Sequence, residues 1–168
     1  MKRAVQSIIV LTAICLLTTV ILATINYITS PIIEAAEKEA EIEALKVVLP
    51  SGKDFEELSV EGDLPDSINK IYKETSGDGY VFRMTVKGYS KGLTVLCGVS
   101  TEGRVTGAVC LSSSETLGYE KDYGESFIDL DASSVPSVDT VSGATMTTKA
   151  YRSAVSDALS AFETIKSK

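Results

Sequence analysis

The sequence predicts an α+β fold, in which one N-terminal transmembrane helix is followed by a small domain with an antiparallel sheet and flanking helices. Three observations predict it. An uncharged, largely apolar run extends from Ala4 to Ile33. Short segments with alternating apolar residues, separated by turn signals, lie between Ile68 and Leu111. An amphipathic pattern at three- and four-residue steps begins near Thr145 and continues through Phe162.

The N-terminal run is long enough to cross a membrane, because a spanning helix needs about 20 predominantly apolar residues. A cleaved signal peptide is the competing interpretation, but its apolar stretch is usually about 7 to 15 residues long and is followed by a small-residue cleavage site. Here the apolar run continues to Ile25 and then reaches Tyr27, an aromatic residue of the kind enriched at membrane interfaces. We therefore expect residues 1–33 to contain an uncleaved, single-pass anchor.

The charges that flank the anchor predict its orientation. Lys2 and Arg3 precede the run, and Glu34 is the first charged residue after it. Because the basic flank of a membrane helix stays inside, we expect a cytoplasmic N-terminus and an extracytoplasmic domain at the plasma (inner) membrane. Setting Lys2 and Arg3 aside leaves 14 of the 16 basic residues against 23 acidic ones outside, a net charge of about −9. Such an acidic surface argues against nucleic acid as a partner.

Residues 34–50 differ in composition from the anchor, being rich in the strong helix formers Ala, Glu, Lys and Leu. They predict a helical stalk that continues the anchor and ends at the Pro-Ser-Gly sequence of residues 50–52. We interpret the glutamates of the stalk as a solvated face without a site. Residues 51–168 then form the extracytoplasmic domain.

The sequence of this domain predicts four strands, at residues 68–74, 80–86, 93–100 and 104–111. In the second, Phe82, Met84 and Val86 alternate with the polar residues between them. Glycine-rich segments predict loops before and between them, at residues 62–67, 76–79 and 88–92.

The last hairpin has two possible registers. If residues 101–103 all form the loop, with Gly103 in the left-handed conformation, Ser100 faces Arg104. We prefer this register because it gathers apolar residues on one face, namely Val95, Cys97, Val99, Val105, Gly107 and Val109. It places Cys97 and Cys110 on opposite faces, whereas the other register makes them diagonal neighbours, which is still too distant for a good disulfide. We therefore expect the cysteines to be small apolar residues.

The segment at residues 139–148, with the sequence D-T-V-S-G-A-T-M-T-T, combines hydroxyl side chains with Gly143 just before the predicted C-terminal helix. The first N–H groups of a helix have no internal partners and lie at the positive end of the helix dipole, so they favour an anion such as phosphate. The alternative is that one of the hydroxyls of Ser142, Thr145, Thr147 or Thr148 simply caps the helix.

Residues 139–145 resemble the D-x-x-[ST]-G-A-T flavinylation motif of the FMN-binding domain family, which includes the RnfG and NqrC subunits of membrane electron-transport complexes. The resemblance implies that a separate flavin transferase joins FMN through its phosphate to the hydroxyl of Thr145. Residues 115–120 also resemble the family's E-T-P-G-L-G segment near the flavin, although Leu117 replaces proline and Tyr119-Glu120 replaces leucine and glycine. The two segments give the predicted cofactor site: Thr145 as the covalent attachment point, with Ser142, Gly143, Ala144, Met146, Thr147, Glu115, Thr116, Leu117 and Gly118.

No other chemistry is predicted from the side chains. The chain has no histidine, and its three cysteines lack metal-ligand spacing, so we expect neither a metal site nor a histidine-dependent catalytic triad. Any redox activity must then come from a cofactor.

The resemblance implies an electron-carrier subunit of a membrane ion-translocating oxidoreductase of the Rnf type (ferredoxin:NAD), with the other subunits of the complex as partners. Four alternatives remain open: an NqrC-like subunit, a stand-alone membrane-anchored flavodomain, a pilin-like structural protein and a module that binds free FMN.

Overall fold

The computed structural model describes residues 2–59 and 64–167. It confirms the predicted fold class, with a long N-terminal helix, one antiparallel sheet and a C-terminal helix. The chain divides into two compact units, one that ends at Ala40 and one that runs from Glu41 onward. Most of the predicted loop at residues 62–67 is described, but its first two residues lie outside the described range.

Helix α1 extends from Lys2 to Val48 and includes Pro31. Within the described part of the chain it is the one helix that is long and apolar enough to cross a membrane, with a mean hydropathy of 2.7 in its most apolar window. The apolar run and the residues after it up to Val48 lie in this one helix. The helix ends just before Pro50, which cannot continue a helix with a normal hydrogen bond.

The sheet contains five antiparallel strands in the order β1-β2-β3-β4-β5. Their bounds are Phe55–Glu57, Ile68–Glu74, Gly79–Lys87, Lys91–Ser100 and Val105–Ser112. The four predicted strands are confirmed to within two residues at each end. Strand β1 was missed, because its three residues are too few to show an alternating pattern and it is defined by pairing with β2.

Two layers cover the sheet. Helix α2, from Thr145 to Lys166, packs on one face, and every apolar residue of the predicted stripe is buried there: Tyr151, Ala154, Val155, Ala158, Leu159 and Phe162. The C-terminal end of α1 packs on the other face, where Leu45, Val48 and Leu49 meet Tyr72, Val81 and Leu96.

The register predicted for the β4–β5 hairpin holds only at its turn. Ser100 faces Arg104, Gly103 is left-handed, and Val99 pairs with Val105. Gly98 then pairs with Gly107, so Thr106 is an extra residue that forms a β-bulge.

The bulge shifts the pairs from Gly98–Gly107 to Val95–Cys110 by one position, and the predicted face is wrong there; a second shift lies between Thr94 and Val95. Val95, Cys97, Ala108 and Cys110 share the α2 side, whereas Gly107 and Val109 face the end of α1. Cys97 and Cys110 are therefore diagonal neighbours on one face, and both are free thiols.

Another correction concerns the stalk glutamates. Glu41 is not solvated, because its side chain is only 12% exposed and its Oε1 accepts a hydrogen bond from the Tyr72 hydroxyl at 2.8 Å. The Arg83 Nε atom lies 3.5 Å from the same oxygen. Glu41 thus belongs to the interface between α1 and the sheet.

Between β5 and α2 the chain forms three short 3₁₀ helices, at Tyr119–Lys121, Tyr123–Phe127 and Val135–Ser137. Tyr123 and Phe127 are buried beside Tyr151, whose ring stacks on Phe127 with 5.7 Å between the ring centroids. These aromatic contacts hold the connection against α2.

Candidate functional site

The N-terminus of α2 is open. Its first helical residue is Thr145, and the residue before it, Ala144, makes no side-chain capping hydrogen bond. Gly143 turns the chain into the helix with φ of +86°, a left-handed conformation that favours glycine. The first N–H groups of α2 therefore lack internal partners and bring partial positive charge to this point.

The hydroxyl side chains around the start of α2 differ in burial and in hydrogen bonding. Thr147 and Thr148 are buried: the Thr147 hydroxyl donates to Glu115 Oε2 at 2.6 Å, and the Thr148 hydroxyl donates to the Ala144 carbonyl at 3.0 Å. Thr145 and Ser142 are exposed. The Thr145 hydroxyl makes a single long hydrogen bond within the described part of the chain, 3.5 Å to the Val141 carbonyl. Within the described part of the chain none of these hydroxyl oxygens accepts a hydrogen bond from the first N–H groups of α2, so the alternative that one of them caps the helix is wrong.

The tip of the β3–β4 hairpin lies beside this helix start. Its residues Gly88, Tyr89 and Ser90 connect the two strands, and the Ser90 N–H donates to Glu115 Oε1 at 3.1 Å. A Cβ atom at Gly88 would lie 2.4 Å from the same oxygen and 3.3 Å from the Cα of Thr147. A side chain at residue 88 would therefore displace the Glu115 carboxylate or move the hairpin away from the start of α2.

The loop that follows β5 forms the third part of the site. Gly118 is left-handed, with φ of +73°, and it precedes the 3₁₀ helix at Tyr119–Lys121. Glu120 is buried in this loop, where its Oε1 accepts a hydrogen bond from the Ser113 hydroxyl at 2.6 Å. The loop therefore has an ordered path although three of its residues differ from the resembling family segment.

The hairpin tip, this loop and the start of α2 enclose a cavity of about 440 Å³. Seven residues line it: Tyr89, Glu115, Thr116, Leu117, Gly143, Thr145 and Met146. Six of them belong to the site predicted from sequence, although residues 115–117 and 143–146 are well separated along the chain. The volume lies within the range of about 300–1,000 Å³ that is typical of small-molecule sites.

Four of the predicted site residues do not line the cavity. Ala144 and Thr147 are buried, and neither they nor Ser142 and Gly118 are among its lining residues. Tyr89 is a lining residue that sequence reasoning missed, since it was assigned only to a turn. The signal that could have identified it is a large aromatic side chain at a hairpin tip, where aromatic residues are not required for the turn itself.

Apolar side chains around the cavity are unusually exposed. Tyr89, Leu117 and Met146 have exposed fractions of 68%, 60% and 61%. Clustered exposed apolar side chains of this kind indicate a binding site. The cavity thus combines an apolar surface with an uncapped helix start and an exposed hydroxyl, which suits a flat apolar ligand that bears a phosphate.

The cysteine thiols offer no reactive group near this site. Burial raises the pKa of Cys97 to about 12. Burial, with the nearby Glu120 carboxylate, raises the pKa of Cys110 to about 11. Both thiols stay protonated at neutral pH and are poor nucleophiles. Among residues 2–59 and 64–167, no group of three or more Cys, Asp or Glu side chains has a geometry that could hold a metal ion.

Known proteins resemble this chain over the same region. The profile of the FMN-binding domain family matches residues 88–160, a range that begins at the hairpin tip and includes every residue lining the cavity.

Two relatives are named as subunits of ion-translocating complexes. The chain is 31% identical over 112 residues to a subunit, designated G, of the Na(+)-translocating ferredoxin:NAD(+) oxidoreductase complex of Acetobacterium woodii. That match covers 58% of this chain and 54% of the relative, so the chain matches about half the length of that protein. It is 26% identical over 168 residues to the subunit with the same designation in the proton-translocating ferredoxin:NAD(+) oxidoreductase complex of Clostridium ljungdahlii, covering 89% of this chain and 86% of the relative.

Proposed function

Since residues 88–160 belong to the FMN-binding domain family, we propose that this chain is the electron-carrier flavoprotein subunit of an Rnf-type membrane oxidoreductase. In this proposal FMN is attached through a phosphoester to Thr145. The two relatives, both named as subunits of ferredoxin:NAD(+) oxidoreductase complexes, support the assignment to the complex. The geometry at the start of α2 supports the attachment point.

One observation favours Thr145 over its neighbours. It is the hydroxyl residue of the segment that is exposed, lines the cavity and stands at the first position of an uncapped helix. Thr147 and Thr148 are buried and donate to other groups, and Ser142 does not line the cavity. An acceptor for a transferase must be reachable and free to lose its proton, and Thr145 meets both conditions.

The attachment reaction requires an activated flavin nucleotide and a separate flavin transferase. The Thr145 oxygen forms the new bond to the phosphorus of the FMN phosphate. The bond between that phosphorus and its leaving group breaks, and the hydroxyl proton departs with the leaving group or with a base of the transferase. The product is a phosphodiester that tethers the cofactor.

The residues of the cavity fit FMN. The uncapped N–H groups at the start of α2 suit its phosphate. The exposed side chains of Tyr89, Leu117 and Met146 offer an apolar surface for its ring. Bound FMN would supply the one- and two-electron chemistry that the side chains of the chain do not provide. The protein's own contribution would be to hold, orient and partly shield the cofactor, so we assign no catalytic residue.

The membrane assignment rests on α1. Its run from Ala4 to Ile33 has no charged residue, and the basic Lys2 and Arg3 precede it. We propose one membrane crossing with a cytoplasmic N-terminus, so that the flavin lies on the outer side. An uncharged anchor offers no group for an ion path, and ion translocation would belong to partner subunits. The two relatives are named for different coupling ions, so the choice of ion does not follow from the resemblance.

The test is covalent labelling. The full chain is expressed with and without a flavin transferase, and flavin fluorescence is recorded on the band after a denaturing gel. When the transferase is present, we expect a fluorescent band for the wild type and for Thr145→Ser, which keeps a hydroxyl, and none for Thr145→Ala. Ser153→Ala, which removes an exposed hydroxyl elsewhere on α2, is the matched control and should label normally.

The competing functions give different results. A module that binds free FMN would lose its flavin on denaturation in every sample. A pilin-like structural protein would not acquire flavin at all. A fluorescent Thr145→Ala band would assign the attachment to another residue.

A further inference from the structure

We propose that Glu115 is a positioning residue for flavin attachment, and that it acts by holding the three sides of the cavity together. This role rests on the proposed function, because it concerns attachment at Thr145. The three sides are the β3–β4 hairpin tip with Tyr89, the loop with residues 115–117, and the start of α2 with Gly143, Thr145 and Met146.

The two carboxylate oxygens of Glu115 contact different segments. Oε1 accepts a hydrogen bond from the Ser90 N–H at 3.1 Å, and Oε2 accepts one from the Thr147 hydroxyl at 2.6 Å. Ser90 is the neighbour of Tyr89, and Thr147 is the neighbour of Met146. One side chain therefore joins the two segments that face it across the cavity, and charge-assisted hydrogen bonds of this kind are stronger than neutral ones.

The close packing at Gly88 limits the freedom of the Glu115 side chain. A Cβ atom at residue 88 would lie 2.4 Å from Oε1 and 3.2 Å from the carboxylate carbon. The hairpin backbone therefore lies directly against the carboxylate. The side chain cannot turn away without breaking contacts to both segments.

This arrangement affects Thr145 through Thr147. The two residues lie in the same first turn of α2, so fixing Thr147 fixes the direction in which the Thr145 side chain leaves the helix. The Thr147 hydroxyl donates to Glu115, and no side-chain capping hydrogen bond forms at the start of α2, so the N–H groups beside Thr145 stay open. Loss of the Glu115 contacts would release the helix start from the hairpin and misplace the attachment hydroxyl.

Charge alone would give Glu115 a different role, as a carboxylate whose field acts on the bound cofactor or on the transferase. The conservative variant separates the two roles. Glu115→Gln can accept from the Ser90 N–H through its carbonyl oxygen and can donate from its amide to the Thr147 oxygen. It keeps both contacts and removes the charge, whereas Glu115→Ala removes both.

The experiment uses the full chain in detergent with a purified flavin transferase and its flavin nucleotide donor. We expect Glu115→Ala to lower kcat for labelling by about tenfold or more with little change in KM, because the hydroxyl is misplaced rather than the docking surface lost. Glu115→Gln should label within about threefold of the wild type. Thr147→Val, which removes one donor and keeps the shape, should lie between them.

Two further measurements make the result specific. Hydrogen exchange on flavin-free protein should show faster exchange of the Ser90 amide in Glu115→Ala and near-normal exchange in Glu115→Gln. Asp157→Ala removes another partly buried carboxylate, one that accepts a hydrogen bond from the Ser67 hydroxyl and does not line the cavity. This control should lower thermal stability without changing the labelling rate of the folded protein.

Several outcomes would overturn the positioning role. If Glu115→Ala were labelled at the wild-type rate, Glu115 would have no positioning role, and the attachment at Thr145 would still stand. Equal loss in Glu115→Gln and Glu115→Ala would assign the effect to charge. Unchanged Ser90 exchange in Glu115→Ala would contradict the contacts themselves. Absence of labelling in the wild type would reject the proposed function and this role with it.

Discussion

The hydroxyl of Thr106 donates a hydrogen bond to the backbone carbonyl of Val48 across 2.6 Å. Thr106 is the bulged residue of β5, and Val48 is the last residue of α1. Beside this bond, Gly98 and Gly107 pair across neighbouring strands and leave room for the Val48 backbone. The end of α1 therefore rests directly on the sheet, with backbone against backbone.

We predict that Gly98→Ala destabilises the domain by about 1–3 kcal/mol, as overpacking of a tight site usually does. A Cβ atom at residue 98 would lie 2.3 Å from the Val48 carbonyl oxygen, and a backbone group cannot rotate away. Denaturant unfolding of the detergent-solubilised chain measures the effect. The direction of the change in the free energy of unfolding is informative, because glycine-to-alanine changes at unstrained sites stabilise proteins by about 0.4–1 kcal/mol. A stabilised variant would mean that α1 does not pack on this pair of glycines.

The interface between α1 and the sheet also depends on Glu41. Burial and the Glu41 carboxylate raise the pKa of Tyr72, so its hydroxyl remains a donor to Glu41 through the physiological range. We predict that Glu41→Ala lowers the free energy of unfolding by roughly 1–2 kcal/mol, because Arg83 loses its partner in a partly buried place. Glu37→Ala, on the exposed part of the same helix, should change it by less than about 0.5 kcal/mol. Equal effects of the two variants would contradict the assignment.

The elements that could be predicted are those whose signal is local. The strand at residues 80–86 alternates apolar and polar residues, and α2 repeats apolar residues at helical spacing, so each of these segments reveals its own conformation. The bulge at Thr106 could not be predicted, because it depends on the contact between Thr106 and Val48, which are distant in the sequence. A one-residue shift reverses every later side chain, and for this reason the faces of Cys110 and Val109 were exchanged.

The candidate site shows the same division. Residues 142–147 form a contiguous motif, and the resemblance to a family segment identified Glu115, Thr116 and Leu117. Tyr89 belongs to neither segment, and only the folded sheet brings the β3–β4 turn to the start of α2. Glu115 was predicted near the flavin, but its bonds to Ser90 and Thr147 required coordinates. Sequence thus indicates which residues are candidates, and the fold decides what each one contacts.

A pH-dependent contribution to stability is expected from Asp131. Hydrogen bonds from the Ser133 and Ser134 side chains and backbone lower the pKa of this carboxyl to about 2. The pKa of Asp131 in the folded protein lies below its unfolded value of about 3.9. The contribution of Asp131 to stability is therefore fully present above the unfolded pKa and is lost as the pH falls toward 2.

The variant Asp131→Ala should therefore unfold at a lower denaturant concentration than the wild type at pH 7. The difference between them should shrink as the pH falls from 4 toward 2. Glu102→Gln, at an exposed turn, is the matched control and should show no such convergence. A constant difference between Asp131→Ala and the wild type over this range would contradict the lowered pKa.

The last prediction concerns Tyr89, whose side chain is 68% exposed and lines the cavity from the hairpin tip. If the flavin ring lies in this cavity, Tyr89→Ala should leave labelling at Thr145 intact, because the attachment hydroxyl and the Glu115 contacts are unchanged. The attached flavin should lose part of its shielding. We therefore expect iodide to quench its fluorescence more strongly and its visible circular dichroism to weaken, whereas Tyr89→Phe, which keeps the ring, should behave like the wild type.

Tyr119→Ala is the matched control, since Tyr119 is also an exposed aromatic residue near the loop but does not line the cavity. Equal quenching in Tyr89→Ala and the wild type would mean that the attached ring extends away from the hairpin, and that the apolar surface formed by Tyr89, Leu117 and Met146 serves another ligand.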